Sequence, residues 1–102
     1  MPPVIEAKKD ELFALCRKFN VRTLELFGSA ARGTFDAETS DLDFVVDIPE
    51  PVPVRHAECY FGMLFGLEDL FERKIDLLES RAIRNPYLLR SIDKDRMVVY
   101  AA

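Results

Sequence analysis

Three aspartates stand where the surrounding pattern would ordinarily place apolar or neutral residues. Asp41 and Asp43 flank Leu42 at the start of an apolar segment, and Asp76 interrupts a second apolar segment at residues 74–79. Side chains alternate along a strand, so Asp41 and Asp43 share a face with Cα atoms about 6.5–7 Å apart. A lone Asp-x-Asp also suits a turn or a solvated strand face. Because these carboxylates repel and a third acid repeats the anomaly, the pattern favours a site for a divalent cation such as Mg²⁺.

A glycine–serine pair lies directly after another apolar segment and before a short stretch that can form a helical turn. At such a junction Gly28 allows close approach to the backbone, and Ser29 and the backbone N–H groups can cradle phosphate oxygens. Arg32 can add a charge-assisted contact to the same phosphates. Most strand-Gly-Ser junctions only end a strand, and this one lacks the Lys of a P-loop and the frame of a nucleophile elbow. Its significance comes from Asp41 and Asp43, which follow at 12 and 14 residues from Ser29.

The elements that position these residues can be predicted from hydrophobic periodicity and turn signals. Asn85 and Pro86 predict the N-cap and first turn of a helix. Helices are predicted at about residues 4–19, 54–73 and 86–94, and strands at 21–27, 41–48, 74–79 and 96–101, the last at an edge. The predicted fold is α/β (α+β), a small mixed β-sheet with helices packed mainly on one side, because strands and helices do not strictly alternate.

Length and composition indicate one small domain spanning residues 1–102. Fourteen Lys and Arg against eighteen Asp and Glu give a net charge of −4, which argues against a protein that wraps nucleic acid. Apolar runs are far too short for a membrane span. Cys16 and Cys59 form neither a disulfide framework nor a zinc pattern, which favours free thiols in the cytoplasm.

The segment GSAARGTFDAETSDLDFVV resembles the nucleotidyltransferase superfamily that includes DNA polymerase beta. It is most similar to the minimal nucleotidyltransferases, the MNT members of HEPN–MNT toxin–antitoxin pairs. The resemblance implies transfer of AMP from ATP to a hydroxyl group, with two Mg²⁺ ions as cofactors. It implies that Gly28 and Ser29 hold the triphosphate and that Asp41 and Asp43 hold the metals.

Asp76 matches the third acid of that family by its place in the later strand, as a metal ligand or a base. A chain of 102 residues with net charge −4 has no surface for primer and template, so a partner protein is expected to present the acceptor. The resemblance implies a HEPN-type toxin as that partner and an antitoxin role for this chain. Two alternatives stay open: a catalytically silent module that neutralises its partner by contact, and transfer to a small molecule in a site built by a homodimer.

The long predicted helix carries a core stripe and two aromatic residues that fall off it. Phe61 and Phe65 either pack under the first helix or form an exposed patch for a partner or a second copy. Gly62 and Gly66 lie on another side, where they predict close approach of a neighbouring element. His56 is the only histidine and is expected to be a solvated residue at the helix start.

Overall fold

Four strands form one mixed sheet in the computed structural model, which describes residues 2–28, 31 and 41–102. The strands lie in the order β3-β2-β1-β4, with β1 antiparallel to β2 and β4, and β2 parallel to β3. The predicted mixed sheet and the edge position of the last strand are therefore confirmed. The strands are β1 (Thr23–Phe27), β2 (Leu42–Asp47), β3 (Ile75–Glu79) and β4 (Met97–Ala101).

The described helices surround this sheet and agree with the periodicity except at the N-terminus. The single helix predicted at residues 4–19 is wrong, because the Lys8 N–H bonds to the Ile5 carbonyl at 3.1 Å, a tightened i to i−3 contact after which the helix restarts. Asn85 caps the last helix as predicted, accepting from the Tyr87 and Leu88 N–H groups. The helices are α1 (Pro3–Glu6), α2 (Lys9–Lys18), α3 (Pro53–Phe71) and α4 (Pro86–Asp95), with a 3₁₀ turn at Ser80–Ala82.

The main core lies between one face of the sheet and helices α1 to α3. Alternate residues of β2, Leu42, Phe44 and Val46, are fully buried there beside apolar residues of β1 and α3. Helices α2 and α3 pack closely because a Cβ on Gly62 would lie 2.2 Å from the Phe19 ring, and one on Gly66 would lie 2.5 Å from Leu15. The predicted close approach at these glycines is confirmed.

The opposite face of the sheet carries the intervening residues of β2, among them Asp43 and Val45. Val45 and Ile92 of α4 are both buried but lie outside the main core cluster. Arg96, which follows α4, binds Glu25 on this same face. We conclude that α4 covers part of the second face, so three of the described helices lie on one side of the sheet and one on the other.

Helix α3 is the longest described helix at 19 residues, but it is amphipathic rather than uniformly apolar. Arg55, Glu58, Glu68 and Asp69 interrupt its apolar residues. Across residues 2–28, 31 and 41–102, no helix has the length and apolar character needed to cross a membrane.

Candidate active site

Asp43 and Asp76 lie side by side on neighbouring parallel strands. They are direct partners in the register of β2 and β3, so their Cα atoms are separated by about the 4.8 Å spacing of adjacent strands. Partners in a parallel pair point to the same face, which is the face opposite the main core. Asp43 is half-buried and Asp76 is exposed. The sheet thus brings together two carboxylates that are 33 residues apart in the chain.

Gly28 lies directly against the Asp43 carboxylate. Phe27 pairs with Asp43 across β1 and β2, so the residue that follows β1 meets the start of β2. Gly28 has φ +72°, and a Cβ built on it would lie 2.3 Å from Asp43 Oδ2. Only glycine leaves room for the carboxylate and adopts this left-handed backbone without strain. Gly28, the described residue of the predicted phosphate-binding turn, therefore lies against Asp43 of the predicted acid pair.

Asp41 precedes β2 and is exposed at the same end of the sheet. The Leu42 N–H donates to the Lys74 carbonyl at 3.3 Å, which aligns the start of β2 with the start of β3. The other two predicted nucleotide-binding residues, Ser29 and Arg32, lie outside the described residues.

The donor set at this end of the sheet suits a hard divalent cation. Mg²⁺ takes few protein carboxylates and completes its shell with water and substrate phosphates. Asp43 and Asp76 supply adjacent carboxylates, and Gly28 leaves the room that the Asp43 carboxylate occupies. Within the described part of the chain, no three His, Cys, Asp or Glu side chains form a ready-made metal cluster. The residues thus fit an ion that shares its ligands with a triphosphate.

Helix α3 is held against β3 by Tyr60, whose hydroxyl donates to the Leu77 carbonyl at 2.6 Å. Burial raises the pKa of Tyr60, and the negative charges of Glu79 and Asp76 raise it further. Tyr60 therefore stays neutral and positions the strand that carries Asp76.

A groove of about 600 Å³ lies at the start of α3, where Glu79 at the end of β3 and the proline-rich segment 49–53 meet it. Here the expected solvated role of His56 is wrong. His56 is half-buried, and its Nε2 pairs with Glu79 while its Nδ1 lies 3.3 Å from the Glu50 carbonyl. Local sequence contained no signal for this pair, because Glu79 is 23 residues away and reaches His56 only when β3 packs under α3.

Comparison with known proteins agrees with this architecture. A family model described as a nucleotidyltransferase domain matches residues 12–99, which include both strands that carry the acids. This chain therefore belongs to the nucleotidyltransferase domain family, and it is a nucleotidyltransferase.

Two curated relatives come from Methanocaldococcus jannaschii. One bears the name "Putative protein adenylyltransferase MJ0126" and is 36% identical over 88 residues, with 83% of each chain covered. The relative named MJ1379 carries the same description and is 37% identical over 82 residues, with 80% of each chain covered.

Solved structures share the fold. A structure described as a minimal nucleotidyltransferase is 26% identical, with a TM-score of 0.64 and coverage of 91% of this chain and 90% of that one. A toxin–antitoxin crystal structure with AMP-PNP has a TM-score of 0.70 at 18% identity, covering 92% of this chain and 73% of that one. A complex of tri-AMPylated Shewanella oneidensis HEPN toxin with MNT antitoxin has a TM-score of 0.65 at 14% identity, covering 95% and 72%.

Proposed function

We propose that this chain transfers AMP from ATP to a hydroxyl group of a partner protein, a HEPN-type toxin, and thereby acts as an antitoxin. The observation that carries the proposal is the in-register pair Asp43 and Asp76 with Gly28 packed against the Asp43 carboxylate. Support for a protein acceptor comes from the M. jannaschii relatives, which are named as protein adenylyltransferases. The HEPN partner is suggested by the structural neighbour in which an MNT antitoxin accompanies an AMPylated HEPN toxin.

In the proposed reaction the acceptor hydroxyl oxygen forms a bond to the α-phosphorus of ATP. The bond from that phosphorus to the oxygen bridging to the β-phosphorus breaks, and pyrophosphate leaves. The hydroxyl proton passes to a carboxylate at the site, for which exposed Asp76 is the accessible candidate. The turn at Gly28 and Ser29 orients the triphosphate, and Arg32 contributes positive charge to it. The protein's task is mainly positioning and electrostatic stabilisation, which a small domain can supply.

Asp41, Asp43 and Asp76 would hold Mg²⁺ in this proposal, two ions in all, with the triphosphate completing the ligand shell. Bound there, Mg²⁺ neutralises charge on the triphosphate and lowers the pKa of the attacking hydroxyl. The carboxylates fit this role because a divalent cation offsets their mutual repulsion on one sheet face.

The direct test incubates the purified chain with Mg²⁺, α-labelled ATP and a purified HEPN-type protein. We expect a labelled HEPN band that disappears when EDTA is added. Asp43→Asn removes the charge while retaining the shape, and we expect it to reduce labelling by at least roughly 100-fold, since metal-assisted charge stabilisation is worth several kcal/mol.

Asp10→Asn is the matched control, because Asp10 is exposed on α2 in the layer on the other side of the sheet. Its labelling should equal that of the wild type. Labelling that survives Asp43→Asn contradicts the assignment of Asp43. Unlabelled HEPN protein that is still neutralised by both the wild type and an Asp41→Ala/Asp43→Ala variant would favour the contact-only alternative.

A further inference from the structure

Helix α3 exposes an apolar stripe to solvent on the side away from the sheet. Phe61 and Phe65 are 50% and 58% exposed, and their rings stack with centroids 6.0 Å apart. One and two turns earlier, Ala57 is exposed and Val54 is 69% exposed. At 100° per residue these four side chains fall within about 80° of the helix circumference. They form a continuous strip about 16 Å long. Of the two sequence-derived alternatives for Phe61 and Phe65, the exposed patch is therefore the one observed.

The stripe continues into the groove at the start of α3. Phe61 and Ala57 also line that groove, and its other lining residues are Pro51, Pro53 and Tyr60 with the ionisable Glu50, His56, Glu79 and Arg81. Phe61 packs edge-on against Tyr60 with ring centroids 5.2 Å apart, so its position is defined rather than free. A ridge of stacked aromatic rings beside a groove that is partly apolar and partly charged is a shape that can receive one face of an amphipathic helix.

The charges around the stripe are mainly acidic, with Arg55 at its start and Arg81 in the adjoining groove as the exceptions. Between Arg55 and Arg73, every acidic or basic side chain other than His56 is acidic: Glu58, Glu68, Asp69 and Glu72. Glu58 and Asp69 are exposed beside Phe61 and Phe65. Two copies of this stripe would bring like charges together, and the chain as a whole has net charge −4. A second copy is therefore disfavoured, whereas Lys and Arg side chains would meet both the carboxylates and the exposed ring faces.

We propose that this stripe, formed by Val54, Ala57, Phe61 and Phe65 with the adjoining groove, is a docking surface for an amphipathic helix of a partner protein whose flanks carry Lys and Arg. The inference deepens the proposed function, because the acceptor protein must be held near Asp43 and Asp76. The stripe and the acids lie on opposite sides of the sheet. The partner is therefore large enough to reach around the β3 edge, or it presents its hydroxyl from a second subunit.

The test uses two fluorescein-labelled amphipathic peptides of equal length and identical apolar face, one with Lys and one with Glu at the polar positions. Each is titrated with the full chain, and binding is followed by fluorescence anisotropy. We expect the Lys peptide to bind and the Glu peptide to bind at least about tenfold more weakly. Phe61→Ala/Phe65→Ala should weaken binding of the Lys peptide by at least about tenfold, since buried aromatic anchors dominate such interfaces.

Two matched controls separate this surface from general attraction to an acidic protein. Tyr87→Ala/Val98→Ala removes apolar side chains that are 78% and 56% exposed elsewhere, and it should leave binding unchanged. Glu58→Lys/Asp69→Lys should weaken binding, whereas Glu6→Lys/Asp10→Lys, with the same net charge, should not.

The proposal is overturned if the Lys peptide does not bind, or if the Phe61/Phe65 and Tyr87/Val98 variants lose affinity equally. Sedimentation velocity supplies another outcome: a dimer dispersed by Phe61→Ala/Phe65→Ala would assign the stripe to a second copy instead. No nucleotide is present in these assays. Absence of AMP transfer would therefore contradict the proposed function without affecting the docking result.

Discussion

At the scale of single residues, the site depends on the contact between a glycine and a carboxylate. Gly28 adopts φ +72° and leaves space that the Asp43 carboxylate occupies, with a hypothetical Cβ only 2.3 Å from Oδ2. Asp43 is in turn in register with Asp76. Small changes at Gly28 should therefore act on the chemistry as well as on folding.

Gly28→Ala is expected to reduce nucleotidyl transfer by at least about tenfold, because the new Cβ displaces the Asp43 carboxylate from the position that the proposed function requires. The left-handed backbone should also cost about 1–2 kcal/mol of stability. Labelled transfer and thermal unfolding measure the two effects.

Asn20→Ala provides the matched comparison, since Asn20 also has positive φ, at 57°, but lies before β1 rather than after it. It should lose stability without losing activity. Equal loss of activity in both variants would show that backbone strain, not the Asp43 contact, accounts for the effect.

The buried thiol of Cys16 should make stability depend on alkaline pH. Burial raises the pKa of Cys16 from 9.0 to about 12. The unfolded thiol loses its proton near its ordinary pKa while the folded thiol keeps it, so rising pH favours unfolding between those values. The free energy of unfolding should fall by up to about 1.4 kcal/mol per pH unit in that window.

Urea unfolding at about pH 8 and about pH 10 tests this for wild type and Cys16→Ala. The wild type should lose more stability than the variant over that interval. Parallel losses in the two proteins would mean that other groups carry the pH dependence.

At the scale of elements, helix α3 performs different tasks on its different sides. One side packs on the sheet and anchors Tyr60 to β3, a second side receives α2 at Gly62 and Gly66, and the outer side carries the exposed aromatic stripe. The glycines are needed because the Phe19 ring and the Leu15 side chain occupy the space of a Cβ.

Gly62→Ala/Gly66→Ala is expected to destabilise the protein by about 1–3 kcal/mol through overpacking against α2. This sign opposes intrinsic helix propensity, which favours Ala over Gly by about 0.8–1 kcal/mol per residue. Chemical unfolding measures the difference, and Val54→Ala on the exposed side of α3 should change stability by less than about 0.5 kcal/mol. A stabilised double variant would show that α2 can move away without loss.

At the scale of the whole molecule, one arginine connects β1, the first strand in the sequence, with the segment that leads into β4, the last strand. Arg96 precedes the edge strand β4 and donates to both carboxylate oxygens of Glu25 on β1, at 2.5 and 2.7 Å. It also pairs with Asp93 of α4. The hydrogen bonds that Arg96 donates to Glu25 and Asp93 raise the pKa of Arg96, so it remains charged at all accessible pH values.

Arg96→Ala should therefore destabilise the protein by about 1–2 kcal/mol, because Glu25, whose side chain is only 14% exposed, loses its bidentate partner. Arg96→Lys should restore only part of the lost stability, since the Lys ammonium cannot donate two parallel hydrogen bonds to one carboxylate. Lys9→Ala is the control, because both side chains of the Lys9–Glu6 ion pair are exposed and the pair should contribute little to stability. Equal effects of Arg96→Ala and Lys9→Ala on the unfolding midpoint would contradict this account.

Local patterns were sufficient for most of the architecture. Short runs of apolar and β-branched residues between turn signals predicted the strands, and Asn85 with Pro86 predicted the start of α4, because these signals depend on neighbouring residues only. The N-terminal helix was predicted as continuous because its periodicity is uninterrupted, and the break at Lys8 has no strong sequence marker. His56 was misinterpreted for a related reason, since its partner Glu79 lies on a distant strand.

By itself the sequence determined the types and spacing of the reactive residues: an acid pair that shares a strand face, a third acid, and a glycine–serine turn after a strand. Only the tertiary structure decided that Asp76 is in register with Asp43 and that Gly28 contacts the Asp43 carboxylate. It also decided that Phe61 and Phe65 are exposed to solvent. The physical reason is that strand register and helix orientation are set by packing between segments far apart in the chain. Periodicity identifies which side chains share a face of a helix or strand. Whether that face packs against another element or is exposed to solvent depends on how the elements are arranged in the fold.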